Sequence, residues 1–163
     1  MKTVIAYYSY EGHTALVAGE LAKLLDADRL RIETQDEKER TGLSKYLWGG
    51  KMVFTGKRPP LKPLALDARQ YDLIVLGGPI WAGKPAPALL SFVDKAGIKD
   101  KKTAFFLCHL GGPGKAAESL SSALALSGTT VVGDIDLKNV TEGSLPALAE
   151  RLSAWAERLR LVC

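Results

Sequence analysis

The chain turns from an apolar strand into a helix at Ala6-Tyr7-Tyr8-Ser9-Tyr10-Glu11-Gly12-His13-Thr14. Residues 2–8 form a nearly unbroken apolar run, rich in β-branched and aromatic side chains, which is typical of a parallel strand covered on both faces. Beyond the turn, valine and leucine recur at the spacing of one helix face until Asp26. The stretch therefore predicts a buried strand, a polar turn and a helix in succession.

The polar turn permits two interpretations. The first amides of a helix have no partner within the helix, and the helix dipole places positive potential there. The hydroxyls of Ser9 and Thr14, with Gly12 allowing close backbone approach, make the turn a candidate phosphate site. The same residues would also suit an ordinary N-capping turn, which every strand–helix unit needs. From this stretch alone, both interpretations stay open.

The composition is that of an ordinary soluble protein. The 163 residues suffice for one domain, residues 1–163, and 47% are hydrophobic against 25% charged. No apolar run approaches the ~20 residues of a membrane helix, and the first residues lack the layout of a secretion signal. A net charge of +4 is too small to indicate nucleic acid. We expect a cytoplasmic protein that binds neither membrane nor nucleic acid.

The two cysteines, Cys108 and Cys163, give no disulfide framework and no metal-binding spacing. Cys108 closes an apolar run and Cys163 is the last residue. We therefore expect two free thiols and no metal site.

Strands and helices alternate along the rest of the chain. Further strands are predicted at residues 29–34, 71–78, 102–109 and 129–137, and helices end near Gly97, begin near Lys115 and cover 145–161. Because residues 29–34 alternate polar and apolar, this strand should lie near a sheet edge. Such alternation predicts an α/β fold in which a five-stranded parallel sheet lies between two helical layers.

Two segments depart from this pattern. A loop without regular structure is predicted at 80–87, because three prolines and a glycine fall within nine residues. Residues 42–63 mix aromatic residues with glycines and prolines, and a short helix at 43–48 followed by ordered coil is predicted there. The aromatic side chains of this segment would either cover a ligand or form a small core of their own.

Glycine-bearing loops follow the first, third and fourth predicted strands. In doubly wound parallel sheets, ligands bind beyond the carboxyl ends of the strands, where the strand order reverses. If these three strands are neighbours, their loops meet at one pocket. This convergence is a stronger signal than any single motif.

The three loops together resemble the flavodoxin family, and most of all its members with Tyr-Tyr-Ser, Pro-Ile-Trp-Ala-Gly-Lys-Pro and Gly-Gly-Pro-Gly motifs. The resemblance covers essentially the whole chain. It implies a three-layer, doubly wound sheet with strand order 2-1-3-4-5 and flavin mononucleotide (FMN) as cofactor. The first loop is similar to the family's phosphate signature, which implies FMN contacts from Ser9, Tyr10, Glu11, Gly12, His13 and Thr14.

Glu11 departs from the family pattern, in which a phosphate-binding threonine is common at this position. A carboxylate 4 Å from a phosphate charge would be repelled by ~1 kcal/mol even in bulk water. We therefore expect the Glu11 side chain to point outward while its backbone amide serves the phosphate.

The second and third loops would hold the flavin ring. The resemblance implies that Trp81 stacks on the ring or lies at its edge, with further contacts from Pro79, Ile80, Ala82, Gly83 and Lys84. From the residues alone, Trp81 could equally be a lid on the core. The third loop is similar to the family's glycine-rich loop at the pyrimidine side, which implies contacts from His109, Leu110, Gly111, Gly112 and Gly114. His109 would either hydrogen-bond the flavin or cap a turn.

The resemblance implies an FMN-binding redox protein that transfers electrons through its flavin, with redox proteins or a small electron acceptor as partners. We expect a monomer or a homodimer and assign no catalytic residue. Two alternatives stay open: an NAD(P)H-dependent FMN reductase acting on quinones or other small acceptors, and a flavin-free recognition domain. Electron carriers of this family are usually acidic. The net charge of +4 therefore predicts a less negative reduction potential of the flavin, or an acidic partner protein.

Overall fold

The computed structural model describes residues 1–35, 50–51 and 53–162. Its strands are β1 (Thr3–Tyr7), β2 (Asp28–Arg31), β3 (Leu73–Trp81), β4 (Lys84–Pro85), β5 (Lys102–His109) and β6 (Thr130–Lys138). Its helices are α1 (His13–Leu25), α2 (Pro87–Lys95), α3 (Ala116–Leu126) and α4 (Leu145–Val162), and residues 50–51 and 53–54 are also helical. Short 3₁₀ turns cover Ala68–Gln70 and Glu142–Ser144.

Five of the strands form one parallel sheet in the order β2-β1-β3-β5-β6. The predicted α/β fold and the strand order 2-1-3-4-5 are confirmed, because β5 and β6 are the fourth and fifth predicted strands. Strand β2 lies at one edge, as expected, with Arg29 and Arg31 exposed. Strand β6 forms the other edge, where Asp134 and Asp136 are exposed.

Each face of the sheet buries its own apolar cluster. Along β3, Ile74 and Leu76 pack with α2 and α3 on one face, while Leu73 and Val75 pack with α1 and α4 on the other. This is why β3 is apolar at successive positions rather than alternating. The three-layer arrangement directs the carboxyl ends of β1, β3 and β5 toward the same edge, because these strands are parallel neighbours.

The prediction that residues 80–87 lack regular structure is wrong. Strand β3 continues through Pro79 to Trp81 and pairs antiparallel with β4. The β1–β3 pairing already ends at Gly77, so a proline at position 79 removes no hydrogen bond between these two strands. The two residues between β3 and β4 are Ala82 (φ 48°) and Gly83 (φ 74°), the left-handed pair that a two-residue hairpin of type I′ requires.

Part of the 42–63 segment, including the predicted helix at 43–48, lies outside the described residues. In the described remainder, Leu61 packs into the core and forms a bridge with Thr34, whereas Phe54 is 92% exposed. A ligand-covering role for this segment stays a prediction. Among the helices of the described ranges, none combines the length and the apolar character that crossing a membrane requires.

Candidate functional site

A cleft of about 350 Å³ opens at the carboxyl edge of the sheet, among the loops that follow β1, β3 and β5. The three glycine-bearing loops therefore meet at one place, as the sequence predicted. Twelve of the predicted site residues line the cleft: Ser9, Tyr10, Glu11, His13, Thr14, Pro79, Ile80, Trp81, Ala82, His109, Leu110 and Gly111. Three lining residues were not predicted: Gly50, Cys108 and Val140.

The loop after β1 presents the amino end of α1 to the cleft. Gly12 caps the helix with a φ of 94°, a left-handed conformation that favours glycine. The hydroxyl of Ser9 accepts a hydrogen bond from the N–H of Ala15 at 3.2 Å, which satisfies one amide of the first helical turn. The guanidinium of Arg31 donates to the Ser9 carbonyl at 3.4 Å. Ser9 thus serves the first turn of α1 as the capping interpretation expects, the positive end of the helix dipole stays at the cleft, and the phosphate interpretation stays a prediction.

Thr14 and Cys108 form the buried floor between the first and third loops. Burial raises the pKa of the Cys108 thiol to about 12, and a hydrogen bond with the Thr14 side chain acts in the opposite direction. The thiol is therefore protonated at neutral pH and is a poor nucleophile. Cys108 was expected to be a free thiol, and it is free and buried.

Trp81 stands between two tyrosines at the wall of the cleft. Its ring meets Tyr8 edge to face at 5.8 Å and 79°, and Tyr10 at 6.1 Å and 87°. Trp81 also packs against the apolar cluster beneath α2 and α3. It therefore covers the core and lines the cleft at once, and the two tyrosines restrict the orientation of its ring.

The His109 ring is 5% exposed and contacts two oxygen atoms of the protein. Its Nδ1 lies 3.1 Å from the carbonyl oxygen of Gly111, and its Nε2 lies 3.1 Å from a carboxylate oxygen of Asp136 on β6. Of the two roles considered for His109, the structure shows that of a group holding the third loop.

Five predicted residues do not line the cleft: Gly12, Gly83, Lys84, Gly112 and Gly114. Gly83 and Gly114 instead contact each other, and the Gly83 carbonyl accepts a hydrogen bond from the Lys115 N–H at 3.0 Å. Lys84 pairs with Trp81 in the hairpin. Gly12 caps α1, and Gly112 is exposed beside Gly111.

Glu11 is exposed and lies at the lining of the cleft. Water around an exposed carboxylate reduces its repulsion of a bound anion. Within the described residues, no group of three or more histidine, cysteine, aspartate or glutamate side chains could hold a metal ion.

No protein-family model matches the sequence. No curated protein matches it either. Solved structures do match. A flavoprotein from Lactobacillus acidophilus, solved in complex with FMN, is 21% identical with a TM-score of 0.72, over 91% of this chain and 98% of that one.

Two flavodoxins are also similar. One from the domain Archaea is 18% identical with a TM-score of 0.59, covering 98% of this chain and 99% of that one. The two-electron reduced flavodoxin of Megasphaera elsdenii is 18% identical with a TM-score of 0.57, covering 96% and 99%.

The chain has the flavodoxin fold. In this fold the cleft described above lies at the switch point of the sheet, where strands β1 and β3 are neighbours and the chain winds to opposite sides.

Proposed function

We propose that the chain is an FMN-binding redox protein that transfers electrons through the bound flavin. The observation that carries this proposal is that three loops of different chemical character line one cleft. A helix amino terminus with buried hydroxyls, a tryptophan and a glycine loop all line it. The volume of about 350 Å³ is within the range of small-molecule sites.

The first loop suits the phosphate end of FMN. Ser9 and Thr14 are 3% and 2% exposed, line the cleft and carry hydroxyls that can donate to phosphate oxygens. The amino terminus of α1 adds a favourable potential for an anion.

The second and third loops suit the ring end. Trp81 offers an aromatic surface next to Pro79 and Ile80, and Gly111 offers main-chain groups unobstructed by a side chain. Flavin rings need such close donors and acceptors at their pyrimidine edge. A related fold is known with this cofactor, since the Lactobacillus acidophilus flavoprotein was solved with FMN.

Bound FMN would supply the electron-accepting chemistry, as cofactors generally do. The residues of this chain bind the phosphate, orient the ring and limit its exposure to water. We assign no proton donor. The proposed partners are redox proteins or a small electron acceptor, and the protein would work in the cytoplasm.

The first experiment is a titration of the purified chain with FMN, followed by flavin fluorescence and absorbance. We expect saturable binding of one FMN per chain and loss of flavin fluorescence beside Trp81. The variant T14V should weaken binding, because valine keeps the shape of threonine but cannot donate to the phosphate. As a matched control, T130V alters an exposed threonine at the start of β6 that does not line the cleft, and it should leave binding unchanged.

Absence of FMN binding would contradict the proposal and favour a flavin-free recognition domain. The enzymatic alternative is tested by steady-state oxidation of NADH and NADPH with a quinone acceptor. We expect turnover close to background with both donors. Rapid turnover would show a reductase and would contradict simple electron carriage.

A further inference from the structure

A contact between the buried ring of His109 and the half-exposed carboxylate of Asp136 lies beside the cleft. His109 lines the cleft, whereas Asp136 lies on β6 and does not line it. Both ring nitrogens of His109 face oxygen acceptors, at 3.1 Å each. Both contacts are hydrogen bonds when both nitrogens carry a proton.

We propose that Asp136 is a positioning residue for the flavin site: through His109, it fixes the orientation of the Gly111 carbonyl at the cleft. The inference rests on the proposed function, because it assigns a role in holding the loop that would contact FMN. It concerns a residue that touches no part of the cleft and acts only through the imidazole.

The third loop needs such a restraint because its own residues are exposed and make few contacts that would hold the backbone in place. A Cβ on Gly111 or Gly112 would meet no atom within 4 Å, so the side-chain positions of both residues face open space. Residues 110–115 are all exposed. The far end of the loop is held by the Lys115 N–H, which donates to the Gly83 carbonyl at 3.0 Å. The near end is held by the imidazole, through the Gly111 carbonyl.

An imidazole alone is a weak restraint. Rotation of the ring about χ2 by half a turn would replace Nδ1 by a carbon atom and break the contact with Gly111. A hydrogen bond at Nε2 determines which face and which nitrogen the ring presents. Asp136 makes this contact from β6, where Arg151 of α4 donates to the Asp136 carbonyl at 3.2 Å. The sheet therefore sets the orientation of the ring.

The first test compares D136A, D136N and D134A by their FMN dissociation constants. We expect D136A to weaken binding by roughly 3- to 10-fold, the effect of one lost hydrogen bond. D136N should remain close to the unmodified chain, since its side-chain amide can accept from a protonated Nε2 or donate to an unprotonated one. Asp134 is exposed on the same face of β6 two residues earlier, so D134A removes the same charge without the contact.

Unchanged binding in D134A and D136N, together with weaker binding in D136A, would support positioning. Equal weakening in all three variants would show a simple charge effect and overturn it. Unchanged binding in D136A would overturn it as well.

The second test measures coupling. In H109N, the asparagine amide can still donate to the Gly111 carbonyl but is too short to reach Asp136. Adding D136A to H109N should change the FMN dissociation constant less than twofold if Asp136 acts only through the imidazole. A further loss as large as that of D136A alone would contradict the inference.

A third measurement uses the flavin-free chain and separates this inference from the proposed function. The sequence contains two histidines, so the imidazole NMR signals of His13 and His109 can be assigned from single variants. D136A should shift the His109 ring signals and broaden the Gly111 amide, whereas D134A should do neither. Unchanged signals in D136A would overturn the inference even if FMN binds. Shifted signals without FMN binding would support the positioning and contradict only the proposed function.

Discussion

A methyl group placed on Gly114 would lie 2.5 Å from the Cα of Gly83, so these two residues of different loops are in direct backbone contact. The contact joins the tip of the β3–β4 hairpin to the residues that precede α3. It is reinforced by the Lys115 N–H, which donates to the Gly83 carbonyl. The second and third loops of the cleft therefore form one connected wall, and Gly83 and Gly114 shape the site without lining it.

The substitution G114A should force these two backbones apart. We expect it to lower the free energy of unfolding by about 1–3 kcal/mol more than G97A, the range for overpacking. Gly97 is the matched control because its φ is also left-handed, at 61° against 52°, but a Cβ there meets no atom within 4 Å. Urea denaturation of both variants measures the difference. Equal losses would show that backbone strain, and not the contact, determines the cost.

The hairpin turn predicts a stabilising substitution at Ala82. An L residue in the left-handed region is strained by roughly 1–2 kcal/mol. Glycine avoids this strain, but it lowers the free energy of unfolding by about 0.5–1 kcal/mol because its unfolded chain has more conformational entropy to lose. A82G should therefore raise the free energy of unfolding by about 0.5–1 kcal/mol. A154G, at an exposed position in α4, should instead lower it by about 1 kcal/mol. Thermal or urea unfolding distinguishes the two signs, and destabilisation by A82G would contradict the strain argument.

Trp81 should contribute to FMN binding mainly through its aromatic surface. Stacking is worth about 0.5–1.5 kcal/mol beyond buried area, so W81L should weaken FMN binding by roughly 2- to 10-fold, and W81F by less. W155F alters a tryptophan that is buried against the opposite face of the sheet. It should lower stability without changing the FMN dissociation constant. Equal affinity in W81L and the unmodified chain would remove Trp81 from the site.

The Cys108 thiol should make stability fall at alkaline pH. Burial raises its pKa from the usual 9.0 to about 12, so the folded state holds the proton more firmly than the unfolded chain does. This contribution is fully present below pH 9.0 and is lost as the pH rises toward about 12. The slope has an upper limit of ~1.4 kcal/mol per pH unit.

The measurement is the difference in free energy of unfolding between the unmodified chain and C108A, at pH 8 and at pH 10. Groups such as Tyr71, whose pKa is raised by its hydrogen bond to Asp28, are present in both proteins and cancel. We expect the advantage of the unmodified chain to shrink at the higher pH. A constant difference would show that the pKa of the Cys108 thiol is the same in the folded and the unfolded protein.

Much of the cleft could be predicted because strand ends and glycines are local signals. The apolar run of β1 followed by Ser9 and Gly12 identified the first loop, and the end of β5 identified the third. Cys108 lines the cleft and directly precedes His109. Because residues at the carboxyl ends of the strands meet at this edge of the sheet, the sequence could also have predicted Cys108, and Val140, which follows β6, for the same reason.

The remaining features depend on contacts between distant parts of the chain. The proximity of Gly83 and Gly114 follows from the pairing of β3 with β5, which no local pattern specifies. Asp136 alternates with apolar residues on an edge strand and has the pattern of an ordinary exposed position. The hairpin was missed because Pro79 and Pro85 suggested a loop, whereas the end of the β1–β3 pairing at Gly77 makes a proline acceptable there.

The two borders of the sheet also bear on how copies of the chain meet. Unpaired backbone at a sheet border is a template for adding a strand from another molecule. Here Arg29 and Arg31 are exposed along β2, and Asp134 and Asp136 along β6. With Asp28 included, the exposed charges of β2 sum to a net positive border, and with Lys138 included, those of β6 sum to a net negative border. Two copies joined through like borders would therefore repel each other, whereas β2 of one copy and β6 of another carry opposite net charge.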